Sequence, residues 1–293
     1  MTFREQLMDY ASRTEAALDA ALPLRDCPQK EVVEALRYSL LGGGKRLRAA
    51  LLLAFYQVCG GEGEKALPFA SALEMVHAYS LIHDDLPCMD DDDLRRGKPS
   101  CHIAFGEATA LLAGDALLTH AFDHMLHADM EPQRLLAAAG CLSRAIGVYG
   151  MIGGQVMDLS NESSPDITEQ RLKDTDALKT GALICAACEM GCILAGASEE
   201  KRTAAKEYAA KIGLAFQITD DILDQCSTTE ELGKPVGSDE ESKKATYASL
   251  YGIEEARRIS AELLTQAKES LRAARMDSPF LLDMADYILE RKH

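Results

Sequence analysis

The stretch EMVHAYSLIHDDLPCMDDDDLRRGKP, residues 74–99, passes from an apolar helical pattern straight into a crowd of acid. Val76, Tyr79, Leu81 and Ile82 lead into Asp84 and Asp85; Asp90, Asp91, Asp92 and Asp93 follow, and then Arg95 and Arg96. Carboxylates held together repel and raise each other's pKa. The cluster is therefore either a solvated helix end or a place where something positive normally sits. Asp91, Asp92 and Asp93 read as a solvated run.

A second cluster favours the positive partner. FQITDDILDQ, residues 216–225, places Asp220 and Asp224 at i and i+4 on one helix face, roughly 6 Å apart, with Asp221 between them. Ile218, Ile222 and Leu223 around them are apolar. Two acidic patches on core-like helices are costly unless cations neutralise them. All-oxygen sites suit Mg²⁺, which keeps waters and commonly bridges to phosphate.

A bridged diphosphate calls for basic residues as well. Lys45, Arg46 and Arg48 follow the triple glycine of GGGKRLR, whose glycines permit tight turns and close backbone approach. Arg95 and Arg96 follow the first acidic run, Lys179 lies in LKTGA and Lys234 in LGKPVGSD. GGGKR is not a Walker-type loop and gains weight only from the aspartates. His77 precedes Asp84 by seven residues, so both lie on one stripe two turns apart. Gln155 and Asp158 either line the site or serve as buried partners of a lysine.

Apolar residues three and four apart dominate the remaining chain, without a convincing alternating strand pattern, internal repeat or low-complexity tract. Breaks at Pro23/Pro28, 42–44, 60–63, 97–99, 163–165 and 233–238 do not resemble domain linkers. Asp166 with Glu169 reads as a helix start with a capping pair. The expectation is an all-α fold, one large helical bundle of ten or more helices over residues 1–293. A net charge of −16 argues against a general nucleic-acid binder. The first residues are charged and amphipathic rather than a secretory signal, and the nine cysteines are odd in number. Reduced thiols and a cytoplasmic location follow as expectations. Cys185, Cys188 and Cys192 read as a small-residue packing stripe. The window 180–197 carries Glu189 and reads as a buried helix rather than a membrane span.

DDLPCMDDDDLRRGKP and FQITDDILD resemble the two aspartate-rich motifs of the trans-isoprenyl diphosphate synthases, the bacterial farnesyl diphosphate synthases above all. GGGKRLR, AGDALLT, GMIGGQVMDL, LKTGAL, LGKPVGSD and KKATY extend the resemblance along nearly the whole chain. It implies the isoprenoid-synthase bundle with a central diphosphate/Mg²⁺ cavity, a homodimer, and condensation of isopentenyl diphosphate with an allylic diphosphate. By that resemblance Asp84, Asp85 and Asp90 ligate metal on one wall and Asp220, Asp221 and Asp224 on the other. About three Mg²⁺ ions would neutralise the leaving diphosphate. Arg95, Lys179 and Lys234 would hold the allylic diphosphate; Lys45, Arg48, His77 and Arg96 would hold isopentenyl diphosphate. Thr180 and Gln217 would set oxygen dipoles near the carbocation, and Gly181 would let its helix kink. The diphosphate itself would accept the proton.

Tyr79, about 7.5 Å down the helix from Asp84, would floor the chain-length groove. With the two extra residues represented in Leu86–Met89, it implies a C15 product, with C20 and then C10 behind it. On a helical wheel the small Ser80 lies closer to the Asp84 face, so this floor rests on the resemblance. Two departures stand out. Ala49 replaces the usual proline and should soften the helix start; Lys243 replaces a usual glycine. A class I terpene cyclase would show an Asn/Ser/Glu second motif and more aromatics than 5 %. A non-catalytic regulatory subunit would have lost an aspartate motif or a diphosphate lysine.

Overall fold

The computed structural model describes residues 1–162, 167–226 and 246–290. Its elements are helices α1 (Phe3–Ala21), α2 (Lys30–Leu40), α3 (Leu47–Val58) and α4 (Leu67–Asp84), the two-residue strands β1 (Leu94–Arg95) and β2 (Lys98–Pro99), then α5 (Cys101–Phe105), α6 (Glu107–Leu126), α7 (Pro132–Ile146) and α8 (Met151–Glu162). There follow α9 (Glu169–Asp176), a π-helical turn (Ala177–Gly181), α10 (Ala182–Ala195), α11 (Glu199–Cys226), α12 (Tyr247–Tyr251), α13 (Ile253–Ala273) and α14 (Pro279–Glu290). The fold is all-α, as the periodicity requires. The short antiparallel ladder is an addition that two-residue strands could not announce as alternation.

By their contacts the residues form two compact units: Met1–Leu53 with Glu62–Ala139, and Ala54–Gly61 with Gly140–His293. In the first unit α4 is buried on most sides, which explains why its sequence shows little amphipathic contrast. It packs closely on α6 at Gly114, where a Cβ would stand 2.1 Å from His83 Nε2. That contact gives the glycine of AGDALLT its reason.

In the second unit α10 and α11 carry the core. Leu183, Ala187, Cys188, Met190 and Cys192 are buried on α10, so the 180–197 window is core here. It belongs to one of two helical runs among the described residues, Pro132–Asn161 and Glu169–Ala195, that are long and apolar enough to cross a membrane by length and composition. The cysteine stripe packs as a small-residue face: Cys192 Sγ lies 3.6 Å from Cys59 Sγ, and the eight cysteines whose side chains are described are free thiols. Helix α9 is capped by Thr168, whose hydroxyl accepts from Arg171 N at 3.3 Å. The expected cap residue Asp166 lies outside the described residues.

Candidate active site

In the first unit the apolar stripe of α4 delivers the chain to Asp84 at the helix end. The backbone then folds back on itself. Asp90 N donates to Asp84 O at 2.8 Å, and Asp91 N to Leu86 O at 3.2 Å with Asp91 at φ 52°. The segment Leu86–Met89 is thus a turn that returns Asp90 to the end of α4. Asp84 is half-buried, Asp85 is 2 % exposed, and Asp90 to Asp93 are exposed.

Strands β1 and β2 meet at Arg96–Gly97, both with positive φ (54° and 72°), as a two-residue hairpin turn of this hand requires. The hairpin aims its two arginines differently. Arg95 forks onto Asp85, with Nε 2.9 Å from Oδ1 and Nη2 also donating to Oδ1. Burial raises the Asp85 pKa, and this guanidinium offsets the rise. Arg96 Nη1 donates to Gly43 O, and a Cβ on Gly44 (φ 128°) would stand 3.0 Å from its guanidinium. The glycines of GGGKRLR therefore admit a close approach, here by an arginine of the same chain.

Arg48 Nη1 lies 3.3 Å from His77 Nε2. Desolvation first, then Arg48, Arg96, Arg46 and Arg95, hold the His77 imidazole well below its ordinary pKa of 6.5. His77 is neutral in a corner of positive potential, a setting that suits an anion. One cleft is lined by His77, Arg95, Arg96 and Asp85 together with Arg46 and Glu74. Lys45, Arg48, Asp84 and Asp90 are not part of its lining.

Arg46, conspicuous in the sequence, is structural. It is 4 % exposed at φ 51°, donates to Leu40 O at 2.6 Å and pairs with the buried Glu74 at 3.4 Å. The other Glu74 oxygen accepts from Ala49 N at 3.1 Å. A proline could not make that bond, having no N–H. The expected softening at Ala49 is thus corrected: the helix start is capped by a buried glutamate.

Tyr79 is 5 % exposed; its ring meets His83 edge-on at 5.7 Å, and its buried hydroxyl has no hydrogen-bond partner among the described residues. Ser80 turns its hydroxyl back onto His77 O at 3.0 Å.

In the second unit the π-turn carries Lys179, Thr180 and Gly181. Such turns widen a helix locally and recur at functional sites, and this one is the observed form of the expected kink. Helix α8 approaches so closely that a Cβ on Gly154 would lie 2.2 Å from Lys179 N. Lys179 Nζ reaches Asp158 Oδ2 at 2.6 Å, so Asp158 is the lysine's partner. Gln155 Nε2 is buried without a hydrogen-bond partner among the described residues.

Asp220 and Asp221 are half-buried on α11 and Asp224 is 3 % exposed. Asp221 Oδ2 accepts from Tyr247 N at 2.7 Å. The Asp176 carboxyl is pushed up to about 7 by burial and then by Asp158, while Gln217 and Lys179 act to lower it. Sequence reasoning passed over Asp176 and Tyr247. The available signal for Asp176 was its i, i+3 spacing to Lys179. Lys234 and Lys243 lie outside the described residues.

The donor set is carboxylate oxygen throughout. Among the described residues no three His, Cys, Asp or Glu side chains form a ready-made metal cage. Carboxylate oxygens suit Mg²⁺, which typically takes one or two carboxylates and completes its shell with water and substrate phosphate.

Comparison with known proteins agrees with this chemistry. The polyprenyl synthetase family profile matches residues 29–277. A dimethylallyltranstransferase of Fischerella ambigua is 44 % identical over 99 % of this chain and 84 % of its own. The heterodimeric geranylgeranyl pyrophosphate synthase large subunit 1 of Arabidopsis thaliana is 43 % identical over 99 % of this chain and 80 % of its own. The apo crystal structure of an FPP/GFPP synthase from Zymomonas mobilis superposes with a TM-score of 0.87 at 38 % identity, covering 98 % of both chains. With acidic motifs, basic residues and fold in agreement along nearly its whole length, the chain belongs to the polyprenyl synthetase family and is a prenyltransferase.

Proposed function

We propose that the chain condenses isopentenyl diphosphate with dimethylallyl or geranyl diphosphate to give farnesyl diphosphate. The observation that carries this reading is the stripe of α4, which sets the electropositive corner at His77 two turns from Asp84 and Asp85. Lys45, Arg48, His77 and Arg96 bind isopentenyl diphosphate. Arg95, Lys179 and Lys234 bind the allylic diphosphate. Asp84, Asp85, Asp90, Asp220, Asp221 and Asp224 hold Mg²⁺, about three ions with diphosphate bound. When bound, Mg²⁺ supplies Lewis-acid neutralisation of the leaving group. Thr180 and Gln217 offer oxygen dipoles to the allylic carbon as it becomes cationic. The released diphosphate takes the proton, so the side chains need supply no base.

The C15 assignment rests on Tyr79, a buried aromatic on the stripe below Asp84. A C20 product is the second reading, because several similar curated proteins are named geranylgeranyl synthases. We also take the chain as one domain: of the three dividing points of its contact units, two fall within helices, α3 and α7, and the third, between Gly61 and Glu62, falls in the short connection from α3 to α4. Exposed apolar residues on α6 (Leu111, Leu112) and around α8 (Val148, Tyr149, Val156) support a homodimer. Free thiols support a reducing, cytoplasmic setting.

Product analysis tests the proposal. Incubation with isopentenyl diphosphate and each allylic starter should give a C15 product that disappears with chelator. A C20 product would keep the chemistry and remove Tyr79 as the floor. No product from a folded chain would leave the regulatory-subunit reading.

A further inference from the structure

One carboxylate in the first unit holds the chain on both sides of Arg48. Glu74, 2 % exposed on α4, accepts from Ala49 N through Oε1 at 3.1 Å and from Arg46 Nη1 through Oε2 at 3.4 Å. Leu47, Arg48 and Ala49 open α3, where backbone N–H groups have no partner within the helix. Glu74 therefore does for α3 what a capping side chain does, but from another helix. Arg46, just before the helix, sits at φ 51°, a backbone state that an ordinary residue keeps only where its surroundings enforce it. Here its guanidinium is held by Glu74 and by Leu40 O at 2.6 Å. Glu74 also precedes His77 by three residues, so both leave the same face of α4. Arg48 Nη1 lies 3.3 Å from His77 Nε2. One helix face thus carries both the imidazole and the group that fixes the chain around the arginine beside it.

We propose that Glu74 is a positioning residue for isopentenyl diphosphate, clamping residues 46 and 49 so that the Arg48 guanidinium stays against His77. The inference rests on the proposed function, because it needs Arg48 at that diphosphate. Glu74 touches no substrate in this role and acts only through the start of α3. Charge and position then predict opposite signs for its loss. Removing a carboxylate makes the corner more positive, and by charge alone should tighten its hold on an anion. Releasing Arg48 should weaken that hold.

The test compares E74Q, R48A, the R48A/E74Q double variant and the exchanged pair R46M/E74M, by melting temperature and by steady-state kinetics with each diphosphate varied in turn. E74Q keeps the volume, but its single acceptor oxygen cannot serve Ala49 N and Arg46 at once. Arg46 still has Glu15 of α1, 3.5 Å from its Nε, so its charge is not left bare. E74Q should raise KM for isopentenyl diphosphate about threefold to tenfold, with the allylic KM and kcat within about twofold of wild type. R48A should raise the same KM about tenfold, and the double variant should go no higher, since both changes undo one contact. R46M/E74M replaces a buried ion pair by apolar volume and should recover the melting temperature. Its isopentenyl KM should stay raised, because neither methionine holds the start of α3; this variant carries the test if E74Q melts too low to assay. An unchanged or lowered isopentenyl KM in E74Q or in R46M/E74M, beside an impaired R48A, would overturn the role of Glu74 alone. So would a fall in kcat with both KM values unchanged, or losses that multiply in the double variant. A wild-type isopentenyl KM in R48A would instead overturn the reading of Arg48 in the proposed function.

Discussion

Two basic side chains on the same cleft of the first unit are handled in opposite ways. Arg95 is forked onto the buried Asp85, so each charge compensates the other. His77 has Arg48, Arg96, Arg46 and Arg95 around it and is driven neutral. The first arrangement is a closed ion pair; the second is a corner whose potential is favourable for an anion. Lys179 in the second unit follows the first pattern, held by Asp158. Of the residues proposed for the allylic diphosphate, Arg95 and Lys179 are thus parked on carboxylates, whereas those around His77 crowd positive charge. A metal–diphosphate unit can exchange into such a pair by giving the carboxylate a cation and the guanidinium a phosphate, with no buried charge left bare. A diphosphate without metal suits the corner, where the arginines supply the counter-charge.

The largest test of this contrast removes the carboxylates. D84A and D220A should each lower kcat by about a thousandfold or more, with melting temperature nearly unchanged, since both side chains are half-buried on helices that are otherwise complete. Near-normal turnover in either would end the metal assignment. Next in size is the pair itself. R95A leaves Asp85 buried and uncompensated, and should cost about 1–2 kcal/mol of stability, Arg95 being only partly buried. It should also raise KM for the allylic substrate about tenfold or more. R95K keeps the charge but loses the fork, and should restore stability better than KM. In the corner, R48A should raise KM for isopentenyl diphosphate about tenfold and leave the allylic KM alone. Equal effects on both substrates would dissolve the distinction between pair and corner.

Much of this was legible in the sequence, for physical reasons that differ by residue. The two acidic helix ends could be read because carboxylates after apolar helical runs contradict the pattern around them. The π-turn was legible only as a glycine where a kink was wanted. Arg46 and Arg48 look alike in GGGKRLR, yet one is buried on Glu74 and the other lies by His77. Only the positive φ at Arg46 separates them, and one sequence does not display that angle. Glu74 read as a helix residue among apolar neighbours, and its two partners come from a distant loop and helix start. Asp176 was hidden for a similar reason. The groups that shift its carboxyl include Asp158, eighteen positions earlier, and Gln217, forty-one positions later, and helical spacing carries no record of which helices meet.

The smallest effects come from two half-buried titrating groups, His77 and Asp176, and they have opposite signs. His77 is neutral in the folded chain and protonates readily once unfolded, below its ordinary value of 6.5. The unfolded state then binds the extra proton, so His77 lowers stability as pH falls below that value. Asp176 is the reverse. Its folded pKa of about 7 exceeds its ordinary 3.8, so the folded state binds the extra proton between them. That contribution is fully present below 3.8 and is lost as pH rises through about 7. Besides Asp158, Lys179 and Gln217, the Tyr247 side chain also faces it and remains protonated throughout this range. H77Q should therefore flatten the acid side of a plot of melting temperature against pH, and D176N the side approaching and passing neutrality. Each shift should be about one to three degrees. If H77Q instead altered the alkaline side, the imidazole would be charged in the folded state. The corner would then be a cation in need of a partner, and the contrast with the Arg95–Asp85 pair would fail at its root.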